Sequence, residues 1–450
     1  MAIIITTIPK AIAVIAILII GEDIVSLPSL EKIIRRAMKN SKFNRNSVFR
    51  KVKNTIFLVF LMASCKNNGQ KITSASFTPT QKPTSEVVLA SNRMELYLPD
   101  LQGKKVGIVT NQTGIVKTKN GSYVHLVDTL LKRNINITKV FAPEHGFRGE
   151  ADAGEVVKDG KDTKTGLPII SLYGKNKKPS KEQLTNIEVI VFDLQDVGVR
   201  FYTYISTLHY VMEACAEQNV PIIVFDRPNP NAHYVDGPML QPEFKSFVGM
   251  HPVPVVYGMT IGEYGKMING EKWLQNQVTS NLKVIPLLNY THQTPYSLPV
   301  KPSPNLPNDV SINLYPSLCF FEGVNVSVGR GTSYQFQIYG SPYFEKQDFS
   351  FTPKPNVGDK NPKFNGKLCY GEDLRQHPRL SELNFSWLKK AFEQSKGVKI
   401  EFFNAMFDKL AGNASLKQQI ISGKSDDEIR QTWQSDLEKF KKTRAKYLIY

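Results

Sequence analysis

Short, nearly unbroken apolar runs alternate with amphipathic stretches from about residue 93 to residue 290. Lys105–Thr110, Ile137–Phe141, Glu188–Asp193, Pro221–Asp226 and Leu282–Leu288 read as strands. The runs EVIVFD and PIIVFD have too few polar positions for one face to meet water, which predicts strands buried on both faces of a parallel sheet. Tyr123–Leu131, Tyr202–Gln218 and Thr260–Asn269 carry apolar residues at helical spacing and supply crossovers. Strand, helix and strand repeated in this way predict an α/β fold with an open, mostly parallel sheet of the doubly wound type.

Around residues 290–310 the texture changes. Thr294-Pro295, Leu298-Pro299, Lys301-Pro302, Ser303-Pro304 and Leu306-Pro307 crowd one stretch, which predicts an extended crossing between domains. Beyond it Phe320–Tyr339 reads as strands, and Asn384–Gln394, Lys417–Ser422 and Asp426–Leu437 read as helices. The expected division is a sheet domain over residues 93–300 and a smaller α/β (α+β) domain over residues 301–450 that completes a cleft.

The first 92 residues belong to neither domain. Lys39 to Lys53 is a basic run, Thr55–Met62 is apolar, and Ala63-Ser64 leads into Cys65, so residues 1–64 read as a signal region. Small residues before a cysteine at this place resemble a bacterial lipoprotein processing site. That resemblance implies cleavage before Cys65, lipidation of its sulfur and a membrane tether; a signal peptide cut elsewhere, or a short anchor, is the alternative. The apolar run Ala11–Ile20 is too short to span a bilayer, so Met38 is the expected start. Residues 65–92, polar and rich in Ser, Thr and Pro, predict a flexible tether after the lipidated cysteine. The expected location is the cell envelope, at the periplasmic face of the outer membrane.

Charge has to be read with that segment set apart. The 450 residues carry a net +17, of which residues 1–64 hold +7, leaving +10 for the rest. Lys175–Lys178 and Lys439–Arg444 read as solvated faces without interleaved aromatics, so nucleic acid is not an expected partner. Cys215, Cys319 and Cys369 lie far apart, which argues against a zinc site or a disulfide framework. There is no GxSxG elbow, P-loop, HExxH, CxxC or strand-linked GxGxxG. No metal or other cofactor is expected.

Chemistry-bearing residues gather just after the apolar strands, where open α/β sheets bind ligands. The first group is Glu144, His145 and Arg148: a partly buried Glu144 would favour its protonated form and suit a general acid, with His145 orienting it. The plainer reading is a Glu144–Arg148 pair that only orders the loop. The second group is Asp193, Asp196, Arg200, Tyr202 and Tyr204, carboxylates beside aromatic faces as a sugar ring requires; helix capping by either aspartate is the alternative. The third is Asp226, Arg227 and Asn229, where Arg227 suits a carboxylate ligand and Pro-Asn-Pro suits a turn. Asn305, Glu322 and Arg330 are candidates to face the cleft from the second domain.

Taken together, PEHGFRGE, AGE, TGLPIISLYG, FDLQDVGVRFYTYISTL, VFDRPNP, DGP, SPNLPN and FEGVNVSVGRGT resemble one family, the NamZ-type exo-β-N-acetylmuramidases, across residues 93–450. The resemblance implies a Rossmann-like catalytic domain, a smaller C-terminal domain and an active site between them. It also implies release of N-acetylmuramic acid from the non-reducing ends of peptidoglycan fragments, with the acidic role on Glu144. Glycoside cleavage usually employs two carboxyl groups, and Asp193, Asp196 or Asp226 is the expected partner. An arginine among Arg148, Arg200, Arg227 and Arg330 would select the sugar's lactyl carboxylate. A membrane-tethered protein that binds muropeptides without turnover is the rival reading.

Overall fold

The computed structural model describes residues 86–148 and 159–450, which belong to one compact unit. The signal region, Cys65, the tether up to residue 85, Glu150 and the AGE motif lie outside the described residues. Described elements are β1 (Lys105–Thr110), a hairpin of β2 (Ile115–Lys117) and β3 (Tyr123–His125), β4 (Asn136–Ala142), β5 (Gly160–Lys161), β6 (Pro168–Ser171), β7 (Val189–Asp193), β8 (Ile222–Phe225) and β9 (Leu282–Ile285). Seven of these form a central sheet in the order β5-β6-β4-β1-β7-β8-β9. All neighbouring pairs are parallel except β5, which runs antiparallel to β6 at the edge. This is the open, doubly wound arrangement expected from the strand and helix rhythm and the Rossmann-like one that the resemblance implies.

The buried strands alternate their side chains between two cores. Ile190 and Phe192 of β7 point into a large core shared with helix Tyr204–Glu217 and with the C-terminal half through Phe320, Leu388 and Phe440. Val189 and Val191 point to the other face, against Tyr97, Leu126 and Leu130. A strand with both faces covered needs apolar residues at every position, which is why EVIVFD is so plain a signal. After residue 308 come helix Asp309–Leu318, an antiparallel sheet of β10 (Ile338–Ser341), β11 (Ser350–Phe351) and β12 (Cys369–Asp373) in the order β10-β12-β11, and helices including Ser386–Gln394, Ser415–Ile421, Asp426–Gln431 and Gln434–Ala445.

Four segments differ from expectation. Tyr123–His125 pairs with Ile115–Lys117 as a strand, and the helix begins only at Leu126, where the His125 ring accepts from the Val127 N–H at 3.2 Å. Most of Phe320–Tyr339 is not strand: Cys319–Gly323 is a 3-10 turn, and β10 begins only at Ile338. The proline-rich stretch ends in an unexpected helix, started by a capping box between Asn308 and Ser311. The tether stops earlier than its composition suggests: Val88 exchanges backbone hydrogen bonds with Leu288 at 2.9 and 3.1 Å, and Leu89 and Ala90 are buried.

Under helix Tyr204–Glu217 lies a buried polar chain. His251 Nδ1 meets the Tyr264 hydroxyl at 3.0 Å, its Nε2 meets His209 Nδ1 at 2.9 Å, and its ring stacks on Trp273 with centroids 4.6 Å apart. His209 Nε2 stands 3.4 Å from Glu213, which takes Lys178 at 2.7 Å. Burial, with Lys245 and Lys178 adding positive charge nearby, pulls His209 down to about 4; burial, with His209 and Lys245, pulls His251 well below its ordinary value. The unfolded chain therefore takes up protons that the folded chain refuses, and stability falls as pH drops from about 6.5 towards 4. Urea unfolding at pH 7 and 4.5 should show a loss of roughly 2 kcal/mol or more, the amount expected from His209 alone, and His251→Asn should flatten the slope.

Candidate active site

From β1 the chain passes to β4 on one side, and the later strands β7, β8 and β9 continue the sheet on the other. The strand order therefore reverses between β1 and β7, and the loops leaving their C-terminal ends diverge to open a crevice, the usual ligand position in such sheets. Asn111–Thr113 follows β1, Pro143–Arg148 follows β4, and Leu194–Thr203 follows β7. The Gln195 N–H donates to Thr113 Oγ1 at 3.0 Å and closes the first loop onto the third.

Five consecutive residues, the last four of the third loop and the first of the helix Tyr204–Glu217, each grip a different part of the molecule. Arg200, fully buried, donates to the carbonyls of Pro238, Val253, Leu410 and Ala411 at 2.7–2.9 Å. Phe201 packs edge-on against Tyr315 and Phe320. The Tyr202 hydroxyl donates to the Pro302 carbonyl at 2.7 Å. Thr203 Oγ1 donates to Glu144 Oε2 at 3.0 Å, and the Tyr204 hydroxyl accepts from Asn111 Nδ2 at 2.6 Å.

Glu144 is half-buried, and burial together with its nearby carboxylate raises the Tyr173 phenol above its ordinary value. His145 behind it is buried and holds a φ of +72°, followed by Gly146 at +74°. Left-handed backbone is uncommon for a side-chain-bearing residue and recurs at functional loops. Phe147 anchors the loop in the second core, while Arg148 turns away from Glu144 to Asp162, donating at 3.1 and 2.7 Å. The loop is thus ordered without a Glu144–Arg148 pair.

The three aspartates have different surroundings. Asp193, at the end of β7, accepts both forks of Arg227 at 2.6 and 2.7 Å in a fully buried pair; burial raises its carboxyl and the guanidinium opposes that rise. Asp226, at the end of β8, accepts the N–H groups of Arg227 and Gly262 and the hydroxyls of Thr260 and Tyr450, at 2.7–3.0 Å. Burial, with Glu263 nearby, pushes it up to about 7. It sits at the N-terminus of helix Ile261–Gly270 as a structural acceptor. Asp196 Oδ2 takes the Gly198 N–H at 2.7 Å and the Tyr257 hydroxyl, while its buried Oδ1 has no hydrogen-bond partner among the described residues. Burial raises this carboxyl to about 6.

Two family models cover this architecture: "Exo-beta-N-acetylmuramidase NamZ, N-terminal" matches residues 106–310 and the corresponding C-terminal model matches residues 313–450. The chain belongs to the NamZ family. It is 38% identical over 408 residues to the peptidoglycan beta-N-acetylmuramidase NamZ of Bacillus subtilis (strain 168), covering 84% of this chain and 96% of that protein. Crystal structures of two DUF1343 family proteins from Bacteroides fragilis NCTC 9343 are also similar. One has a TM-score of 0.74 at 43% identity, the other 0.69 at 28%, and each comparison covers 81% of this chain and 99% of the other.

In this NamZ-family member the four arginines expected to select an anion are all engaged. Arg148 holds Asp162, Arg227 holds Asp193, and Arg330 holds Glu322 at 2.5 Å. Arg200 is the clearest departure from the expected substrate role. Its two terminal nitrogens serve backbone carbonyls, and burial pulls its guanidinium down to about 9, so it acts as a structural staple. Asn229 likewise packs on Gly198, donating to the Met259 carbonyl at 2.8 Å. Asn305 donates to the Gly358 carbonyl at 2.7 Å. An aromatic chain joins the C-terminal residues to the crevice: Phe336 meets Tyr315, Tyr315 meets Tyr202, and Tyr202 meets Tyr204, with centroids 4.8–6.2 Å apart. Sequence reasoning missed Thr203 as a donor to Glu144 and Tyr173 as its neighbour, although both lie inside motifs it had singled out. It also missed Phe247, whose ring is 6.4 Å from Tyr173 and carries Lys177 Nζ over its face at 4.5 Å. Among the described residues, no three His, Cys, Asp or Glu gather as a metal ion would need.

Proposed function

We propose that this chain is an exo-acting β-N-acetylmuramidase that removes N-acetylmuramic acid from the non-reducing end of peptidoglycan fragments in cell-wall turnover, with Glu144 as general acid. One observation carries the assignment of Glu144. It follows β4 beside the switch point, half-buried, with its carboxylate accepting from the Thr203 hydroxyl and its charge felt by the nearby Tyr173 phenol. A carboxyl fixed in this way can deliver a proton to the departing glycosidic oxygen without first reorganising. His145 shapes the loop through its left-handed backbone.

Asp196 is the partner we assign among the three aspartates, because Asp193 is committed to Arg227 and Asp226 to its four donors. Its ionised form would stabilise positive charge developing on the sugar. Tyr173, tilted against Phe247, offers a face to the sugar's C–H groups. Lys177, which makes no ion pair among the described residues, supplies the positive charge for the lactyl carboxylate in place of an arginine.

Purified Glu144→Gln protein should fold normally and lose about a hundredfold or more in kcat on a chromogenic β-muramide. Wild-type hydrolysis should fall below pH about 6 as Asp196 takes up a proton, and Asp196→Asn should abolish that limb while lowering kcat. Wild-type rates in Glu144→Gln would remove the assignment and favour a binding protein.

The same reading makes the chain an exported lipoprotein anchored through Cys65 at the periplasmic face of the outer membrane, supported by the basic run, the apolar run and Ala63-Ser64 before that cysteine. Cells labelled with radioactive palmitate should yield a labelled membrane-bound protein, and Cys65→Ala should lose both the label and membrane fractionation.

A further inference from the structure

One imidazole outside the proposed machinery touches two of the loops that wall the crevice. His125 ends β3 and caps helix Leu126–Leu131, partly buried. Both of its ring nitrogens are committed. Nδ1 accepts from the Val127 N–H at 3.2 Å, and a proton there would set two donors face to face. The proton therefore sits on Nε2, which donates to the Asn111 carbonyl at 2.8 Å in the loop after β1. The ring also meets Phe147 edge-on, with centroids 5.0 Å apart and planes at 87°, in the loop after β4 that carries Glu144. Burial, with Arg148 and Arg227 adding positive charge and the Asn111 carbonyl and Asp128 opposing them, brings the imidazole down to about 4, so the neutral tautomer persists at neutral pH.

Asn111 passes that contact on. It is fully buried, and its Oδ1 accepts the Thr113 N–H at 2.9 Å and the Thr113 hydroxyl at 2.6 Å, which fixes the orientation of the amide. Its Nδ2 donates to the Tyr204 hydroxyl at 2.6 Å, leaving that hydroxyl's own proton for the Glu144 carbonyl at 3.5 Å. The Leu126 N–H donates to the Gly114 carbonyl at 2.7 Å, so the hairpin that bears the imidazole is itself pinned to the first loop. His125 thus reaches Glu144 by two routes: through Asn111 and Tyr204 to its main chain, and through Phe147 three residues along the same loop. That loop has left-handed backbone at His145 and Gly146 and belongs to no strand or helix, so its path depends on what it packs against.

We infer that His125 is a positioning residue for proton delivery by Glu144: it holds the loops after β1 and β4 at one spacing and so sets the line along which the carboxyl meets the departing oxygen. It needs no contact with the sugar. The inference rests on the general-acid reading of Glu144. A displaced acid is penalised most when the leaving group needs its proton, because misplacement by about an ångström costs on the order of a hundredfold in rate. A leaving group that departs as a stable anion is indifferent to the same displacement. Loss of a helix cap alone would lower stability and slow both kinds of substrate alike.

The test compares wild type, His125→Asn and His125→Gln on the disaccharide MurNAc-GlcNAc, whose alcohol leaving group must be protonated, and on 2,4-dinitrophenyl β-MurNAc, whose phenolate leaves unaided. Asparagine keeps an acceptor for the Val127 N–H but is too short for the Asn111 carbonyl and brings no ring to Phe147. Glutamine keeps a donor of the right reach and gives up the cap. His125→Asn should keep its thermal stability and lose about tenfold or more in kcat on the disaccharide, with KM and the aryl glycoside rate nearly unchanged. His125→Gln should exceed it in disaccharide rate in spite of a lower melting temperature. Equal losses on both substrates, wild-type rates in His125→Asn, or the reverse order of the two variants would overturn the inference. Glu144→Gln is the control. A selective loss there beside none in His125→Asn removes the positioning role alone, whereas wild-type disaccharide rates there remove the acid and the positioning role together.

Discussion

The loop between β7 and helix Tyr204–Glu217 has almost no freedom to move. Residues 200–204 are held, one after another, by the carbonyls of the C-terminal half, by an aromatic cluster, by the proline-rich crossing, by Glu144 and by Asn111. Each contact is modest, but together they determine where the proposed acid stands relative to both halves of the molecule. Such positioning from several directions is what a proton-delivering carboxyl requires, since small displacements reduce rates steeply. The crevice is therefore a product of the whole fold, including residues more than two hundred positions away in the chain.

The buried acids illustrate how one sheet edge assigns different work to the same residue type. Asp193 and Asp226 end adjacent parallel strands, and both are taken out of water entirely. One is neutralised by a bidentate guanidinium, the other by a helix N-terminus and two hydroxyls. These are two of the ways a folded chain tolerates a carboxylate in its interior. Asp196, three residues beyond the strand, escapes both and keeps one oxygen uncommitted among the described residues. Its environment, not its residue type, separates it from its neighbours.

The central sheet was legible because strands such as Val189–Asp193 and Ile222–Phe225 are covered on both faces and so lack polar residues inside them. The hairpin strand Tyr123–His125 was not, because three residues with mixed burial carry no period and merge into the helix that follows. Phe320–Tyr339 misled for a related reason. Its aromatics and valines are buried in a common core by turns and loops, and burial alone imitates a strand. At the site, sequence assembled the right neighbourhood after β4, β7 and β8. It could not tell a ligand from a staple, since Arg148, Arg200 and Arg227 look alike until their acceptors are known. Roles that depend on a partner far along the chain leave no local trace.

The grip of Arg200 has an evolutionary corollary. Its acceptors at Pro238, Val253, Leu410 and Ala411 are main-chain oxygens, so their side chains can drift without loosening the joint. The contact is written on one side in a single side chain and on the other only in backbone shape. Paired substitutions, the usual footprint of residues that touch, should therefore be missing between these positions. The trace that remains is Gly412, at φ +72°, where a Cβ would come within 2.7 Å of the guanidinium. A glycine and a distant arginine kept together through divergence would be the only outward mark of the joint on which the two halves close.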